Sequence, residues 1–301
     1  MMAVPAAGIS LPAKQHTIST LLNEGADIEE LNVVRKHLSA IKGGQLALAA
    51  GGDVLTLALS DVPGDTPSII ASGPTVPDAT TAAAALAILA RRGGEGRFPG
   101  EVLGRLRQMA AGEIPETPKP GDPRLSRSVM RVIGGPTEAL DGAQQAAETL
   151  GYQVSRISGC ISGEARTAAA QYSHQVAQAM QSQSRPLCVL SAGETTVRVT
   201  GSGKGGRNQE FALALATRIP GLGAAMTATS LGTDGVDGPT DAAGAIVDET
   251  TIARSAARGL DAPERYLDDN NSYAFFDALD DLIRTGPTNT NVADIQITLI
   301  A

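Results

Sequence analysis

Apolar and polar residues along this chain fall into two alternating periods, one of helices and one of short strands. From Ile28 to Ile41, residues Ile28, Leu31, Val34, Leu38 and Ile41 recur at the spacing of one helix face, with Asp27 as N-cap. Asn32, Arg35, Lys36, Ser39 and Lys42 fall on the opposite face, a solvated surface unless Gly43-Gly44 beyond them opens it to a ligand. Val54 to Leu59 reads as a strand that runs into Ser60-Asp61-Val62-Pro63-Gly64-Asp65. Asp78 caps an alanine-rich helix to about Ala90, and Glu101 to Ala111 forms another. Four prolines between Ile114 and Arg124 preclude helix and central strand, which predicts an exposed connector between lobes or a loop over a cleft.

Beyond residue 128 strand and helix alternate. Strands are expected at Val129 to Ile133, Gln153 to Ile157, Leu187 to Leu190, Ala225 to Leu231 and Ile295 to Ile300. Helices are expected at Glu138 to Leu150, Glu164 to Gln181 and Asn270 to Ile283. That rhythm predicts a two-lobed, layered α/β/α architecture, Rossmann-like, with largely parallel strands. The lobes are expected at 1–127 and 128–301.

The densest chemistry lies in SAGETTVRVTGSGKGGRNQE, Ser191 to Glu210. Gly193-Glu194 reads as a turn, and Thr195 to Thr200 as a half-exposed strand. Gly201, Gly203, Gly205 and Gly206 leave the backbone bare, so its N–H groups can approach an anion, with Lys204 and Arg207 adding positive charge before the helix from Phe211 to Ala216. The glycines fit G-x-G-x-x-G, but the preceding strand alternates instead of being wholly apolar. No acid occurs between Glu210 and Asp234 to hold a ribose, so a nicotinamide site is disfavoured. A Walker A loop is absent.

Two acidic loops follow strands, where open α/β sheets bind ligands. Asp61 and Asp65 suit Mg²⁺ or the orientation of a hydroxyl, or else belong to a plain surface turn. Asp234, Asp237 and Asp241 lie among glycines and suit a hydrated Mg²⁺ or a catalytic carboxylate. Ser72-Gly73-Pro74-Thr75 adds a second small-residue loop. His16, His37 and His174 are scattered and form neither a metal pair nor a Ser/His/Asp signature.

The bulk properties narrow the partners. The 301 residues are 42% hydrophobic, enough for a large core, and carry a net charge of −8 without a basic tract, which argues against nucleic acid and anionic membranes. No apolar run has membrane-spanning length and no signal peptide is evident. Cys160 and Cys188 read as buried small residues in a reducing compartment, so the cytoplasm is the expected location.

GETTVRVTGSGKGGRNQEFALALA, with Gly232 to Asp241 after it, resembles the C-terminal region of the glycerate 2-kinase family, whose members often carry the label hydroxypyruvate reductase. NVVRKHLSAIKGGQLA from Asn32, SDVPGDTPSIIASGPTVPD from Ser60 and TGPTNTNVADIQI from Thr285 match the same family, so the resemblance covers nearly the whole chain. It implies a MOFRL-like region over about 187–298 and transfer of the ATP γ-phosphoryl group to D-glycerate with Mg²⁺. Arg207 would contact the substrate or the transferring phosphate. Asp234 would be base or Mg²⁺ ligand, and Asp61 would support metal or substrate. Gly201, Gly203, Lys204, Gly205 and Gly206 would line a phosphate, and Ser72, Gly73 and Thr75 would either bind ATP or cap a helix. Arg35, Lys36, Lys42 and Glu194 are the substrate candidates, and Asp65 and Asp237 the metal candidates.

The resemblance also implies a preceding segment with a Gly-Gly-x-Ser-Ala loop and a functional lysine, after which this chain begins. On that ground the chain as given is expected to be a poor kinase or inactive, and to self-associate or cover an exposed sheet edge. The alternatives are an NAD(P)H-dependent hydroxypyruvate reductase and a non-catalytic nucleotide-binding remnant.

Overall fold

The computed structural model describes residues 3–62 and 64–301, and the chain divides into two compact units, Met1–Ala58 with Gly64–Ile133, and Leu59–Pro63 with Gly134–Ala301.

The first unit is mainly helical. It contains α1 (Leu11–Asn23), α2 (Ile28–His37), α3 (Gln45–Ala50), β1 (Val54–Leu59), α4 (Ala82–Gly93), α5 (Gly100–Ala110) and most of β2 (Ser128–Gly134). Asp27 starts α2 as expected: its carboxylate accepts the Glu30 N–H at 2.8 Å, and the Glu30 carboxylate accepts the Asp27 N–H at 3.2 Å, a reciprocal capping box. Leu21, Leu31, Val34 and Leu38 pack with Leu89, Val102 and Leu106 of α4 and α5 in one apolar core. β1 and β2 form a two-stranded sheet, and its outward Leu55, Leu57, Val129 and Ile133 are exposed.

A buried polar cluster ties α2 to the segment after it. Lys36 Nζ lies 3.3 Å from an Asp78 oxygen, and Thr117 donates to the other at 3.0 Å. His37 Nε2 meets Glu116 at 3.1 Å. Burial alone would raise the Asp78 pKa, but the Thr80 hydroxyl and N–H and the Lys36 charge outweigh it and hold the carboxyl below its usual range. Thr117 and Pro118 are buried in this cluster, so the proline-rich stretch is anchored within the first unit instead of being an exposed connector.

The second unit is layered. Its elements are α6 (Pro136–Thr149), β3 (Gln153–Arg156), β4 (Ile161–Glu164), α7 (Ala165–Ser182), β5 (Leu187–Thr196), α8 (Arg207–Ala216), β6 (Met226–Gly232), β7 (Gly244–Asp248), α9 (Thr251–Ala257), α10 (Pro263–Asp268), α11 (Ser272–Leu279), β8 (Leu282–Ile283) and β9 (Asp294–Ile300). The seven-stranded sheet has the order β3-β5-β9-β6-β7-β8, with β4 beside β5. β3 and β4 run parallel to β5, whereas β9 runs against both β5 and β6. Most strands therefore share one direction, but β9 and β7 reverse it, and most neighbours are antiparallel. Leu187, Val189, Ala228 and Val247 face α7 and α8, while Cys188 and Leu190 face α6. Burial pushes the Cys188 thiol up to about 11, whereas Cys160 is exposed, contrary to expectation.

Several local expectations are corrected here. Gly193-Glu194 is not a turn: β5 continues through it to Thr196, and Val197 to Thr200 is not strand. Gly193 is needed because β4 approaches closely, and a Cβ there would lie 1.9 Å from the Ile161 carbonyl oxygen. β4, β7, α9 and α10 have no clear period of their own. The last helix is shorter than Asn270 to Ile283, because Asn270 adopts a left-handed φ of 52° before it and Asp280 one of 63° after it.

Asp78→Ala would leave Lys36 buried without its carboxylate, and should lower stability by about 3–5 kcal/mol. Chemical unfolding measures this, and a loss below about 1 kcal/mol would refute the role assigned to the buried pair.

Candidate active site

The site of the second unit is built where β5 and β6 end and β9 begins. Because β9 is antiparallel to both, Asp294 at its start pairs with Gly193 on one side and Gly232 on the other. The Asp294 side chain is only 1% exposed. It accepts from Arg207 Nε at 2.6 Å and from a terminal nitrogen at 2.9 Å, a bidentate fork, and the other terminal nitrogen donates to Glu194 at 2.7 Å. The paired carboxylates hold the guanidinium pKa well above its ordinary value. Three of the five N–H donors of Arg207 are thus engaged, which leaves one on each terminal nitrogen for a ligand.

A cavity of about 460 Å³ opens here, lined among others by Gly203, Gly205, Gly206, Arg207, Asp234 and Asp237. Six residues singled out in the sequence therefore line one cavity. One oxygen of Asp234 accepts the Val236 N–H at 3.0 Å. Its backbone carbonyl accepts from Thr288, which braces the loop from the side. Asp61 belongs to this unit as well and accepts from Asn291 at 3.0 Å, in the segment that leads to Asp294.

The glycine loop is held differently from expectation. Asn270 accepts the N–H groups of Thr200 and Gly201 at 2.8 and 3.0 Å, Asp269 takes those of Ser202 and Gly203, and Asn271 takes that of Lys204. Asn270 in turn donates to the buried Glu210, which Arg166 also holds. The N–H groups from Gly201 to Lys204 are therefore spent within the chain and do not form a phosphate cradle. The glycines serve close approach instead, since a Cβ on Gly201 would lie 2.3 Å from Asp269 backbone atoms. Lys204 lies over the Tyr273 ring, 4.4 Å from its centroid.

Asp237 is corrected as a metal ligand. Its two oxygens accept the N–H groups of Asn208 and Gln209 at 3.0 and 2.8 Å, which caps the start of α8 from outside the helix. Among the described residues no group of three or more His, Cys, Asp or Glu could hold a metal ion. The donor set nevertheless fits Mg²⁺ as it arrives with nucleotide phosphates, for which one free carboxylate oxygen, that of Asp234, is enough.

In the first unit, Ser72 donates to Asn32 at 2.9 Å and Thr75 accepts from Thr56 at 2.7 Å, so both hydroxyls are engaged internally. Gly73 closes a left-handed turn and accepts the Gly44 N–H. Lys36 is committed to Asp78, while Arg35 and Lys42 are half-buried without a carboxylate partner among the described residues. Asp65 has one buried oxygen with no hydrogen-bond partner. Asp294, Asn270 and Asp237's capping role were not read from the sequence. The available signal for Asp294 was an acid placed directly before an apolar strand.

Residues 187–294 match the model of the MOFRL family, and residues 1–107 that of a domain of unknown function, DUF4147. Over its full length the chain is 39% identical to a protein of Thermotoga maritima named D-glycerate 2-kinase, of which it covers 69%. It is 41% identical, again over its full length, to a putative hydroxypyruvate reductase of Agrobacterium vitis, of which it covers 67%. A crystal structure of glycerate kinase from Thermotoga maritima superposes with a TM-score of 0.86 at 40% identity, over 99% of this chain and 69% of that one.

Burial lifts the Asp237 pKa to about 6, the Asp294 charge pushes the same way, and the N–H donors of Asn208 and Gln209 oppose it. The folded protein thus holds this proton more tightly than the unfolded chain, so its contribution to stability is full below pH 3.8 and is lost as pH rises through about 6. The unfolding free energy of the wild type relative to Asp237→Asn should fall across that range, because the other carboxylates contribute equally to both proteins. Parallel curves for the two proteins would refute it.

Proposed function

The chain belongs to the glycerate 2-kinase family, and on that premise we propose that it transfers the γ-phosphoryl group of ATP to the 2-hydroxyl of D-glycerate. The observation that carries this reading is the 39% identity, over the whole of this chain and 69% of the relative, to a D-glycerate 2-kinase, together with Arg207 and Asp234 lining one cavity. Phosphoryl transfer asks little covalent chemistry of a protein. It asks for cations on the transferring group, a carboxylate near the acceptor hydroxyl, and fixed positions for both.

Arg207 meets the last requirement: its fork with Asp294 fixes the guanidinium plane, and its two unused donors suit a carboxylate or phosphoryl oxygen. Asp234, with one oxygen committed to Val236, keeps the other for the hydroxyl proton or for Mg²⁺. When bound, Mg²⁺ would neutralise phosphate charge. Glu194 orients Arg207, and Asp61 steadies the loop before Asp294. Gly205 and Gly206 give the substrate room against the start of α8.

The hydroxypyruvate reductase name borne by some relatives finds little support in these residues. The G-x-G-x-x-G turn spends its first N–H groups on Asn270 and Asp269, so it does not offer them to a pyrophosphate.

The direct test is formation of 2-phosphoglycerate from D-glycerate and ATP. Substrate-dependent oxidation of NADH with hydroxypyruvate in its place would overturn the reading. Arg207→Ala should cut kcat/KM by about 10²–10³ or more in protein that still folds, with stability lowered by about 3–5 kcal/mol because Asp294 is left buried without its cation. Asp234→Asn should abolish turnover with a melting temperature close to that of the wild type, because Asn keeps the acceptor for Val236. A large fall in melting temperature for Asp234→Asn would assign Asp234 a structural role instead.

A further inference from the structure

The cations of the first unit do not act as one group. Lys36 turns inward to Asp78 and is consumed there. Arg35 and Lys42 remain, and Lys14 of α1 joins them. Lys14 is 7% exposed, and its Nζ meets the Val4 carbonyl at 3.4 Å. The same carbonyl accepts from the Ser39 hydroxyl, and Ser39 Oγ accepts the Lys42 N–H, so Lys14 is joined to the Lys42 backbone through one shared oxygen and one hydroxyl. Lys42 Nζ donates to the Ala71 carbonyl at 2.7 Å. Among the described residues no carboxylate lies within ion-pair distance of any of the three.

The cluster is held against its own repulsion. Burial lowers the Lys14 pKa first, and the charges of Lys42 and Arg35 lower it further; burial and Arg35 do the same to Lys42. Lys14 is buried and Arg35 and Lys42 are half-buried, so like charges gathered there without a counter-ion are unfavourable, and their retention points to an anion supplied from outside. The backbone beside them is strained in the same sense. Ala71, Ser72 and Gly73 have φ values of 51°, 63° and 60°, and two of these are not glycine. Gly43 and Gly44 N–H groups, just beyond Lys42, donate to the carbonyls of Ser72 and Gly73 at 3.1 and 2.8 Å, so the strained turn is tied to the backbone beside Lys42.

We propose that Lys14, Arg35 and Lys42 form an anion site that receives the phosphate chain of a nucleoside triphosphate. The identity of the ligand rests on the kinase reading above; the existence of the site does not. A single carboxylate would neutralise one of the three charges, whereas consecutive phosphates match all of them. In the second unit Arg207 already carries two carboxylates, so that site holds no comparable excess of positive charge.

The test is titration calorimetry of the full chain with inorganic tripolyphosphate and, separately, with D-glycerate. Lys14→Met, Arg35→Met and Lys42→Met are compared with Arg131→Gln, an exposed arginine elsewhere on the unit that controls for net charge. Tripolyphosphate should bind the wild type and the Arg131 variant alike, and about tenfold or more weakly to each of the other three. Without ligand, Lys14→Met should melt at or above the wild-type temperature, since one of three repelling charges is gone. A structural Lys14 would give the reverse, a lower melting temperature with unchanged tripolyphosphate affinity, and would overturn the proposal. So would variants that weaken D-glycerate and leave tripolyphosphate untouched. Cluster-dependent tripolyphosphate binding in a chain that phosphorylates no glycerate would uphold the site and refute the kinase activity.

Discussion

The fork between Arg207 and Asp294 is the constraint on which the second unit depends. It joins the start of α8 to the start of the central strand β9, with a hydrogen-bond length of 2.6 Å on a carboxylate almost wholly out of water. A carboxylate so placed needs its partner, since Asp294 left alone would be a buried and uncompensated charge. Glu194 near the end of β5 completes the joint. Three elements that arrive from distant parts of the chain are thereby fixed at one point, which is also the wall of the cavity.

Behind the fork a buried polar chain crosses the sheet. Ser191 on β5 donates to Gln296 on β9, Gln296 to Ser230 on β6, and Ser230 to Asn208 on α8. Asn208 then contacts Asp237, whose oxygens cap the helix. Each member is satisfied by the next, so the network is rigid and not merely tolerated. Together with the Glu210 and Asn270 contacts it fixes the first turn of α8 and the glycine loop before it. Phosphoryl transfer depends on positions more than on reactive groups, and the rigidity lies at the residues that would set those positions.

Both units pair cations with carboxylates, but the first leaves one cluster without a carboxylate partner among the described residues. The second pairs its cations with carboxylates: Arg166 with Glu210, Arg207 with Asp294, Arg254 with Asp281 and Arg284 with Asp277. The first pairs Arg91 and Arg92 with Glu30, Arg97 with Glu24, Arg107 with Glu95 and Lys36 with Asp78, and leaves Lys14, Arg35 and Lys42 to repel one another. An acidic chain that leaves a positive cluster uncompensated gains no stability from it, which is the mark of a surface kept for an anion.

The sequence by itself determined the elements with strong periods and clear punctuation. The α2 N-cap Asp27, the apolar runs of β5, β6 and β9, and the helices α6 and α7 were legible because local spacing and caps specify them. It also marked Arg207 and Asp234, because glycines and acids cluster around them at strand ends. The tertiary structure decided what those residues face. Gly193 looked like a turn and is mid-strand, since the closeness of β4 is not a local property. Asp237 looked like a metal ligand and is a helix cap, because its partners lie 28 and 29 residues away. Lys36 and Lys42 share one face in sequence, yet Asp78 takes the first and leaves the second to Lys14, whose place beside them depends on how α1 packs. Spacing along a chain fixes which residues share a face; only packing fixes which charges meet across it.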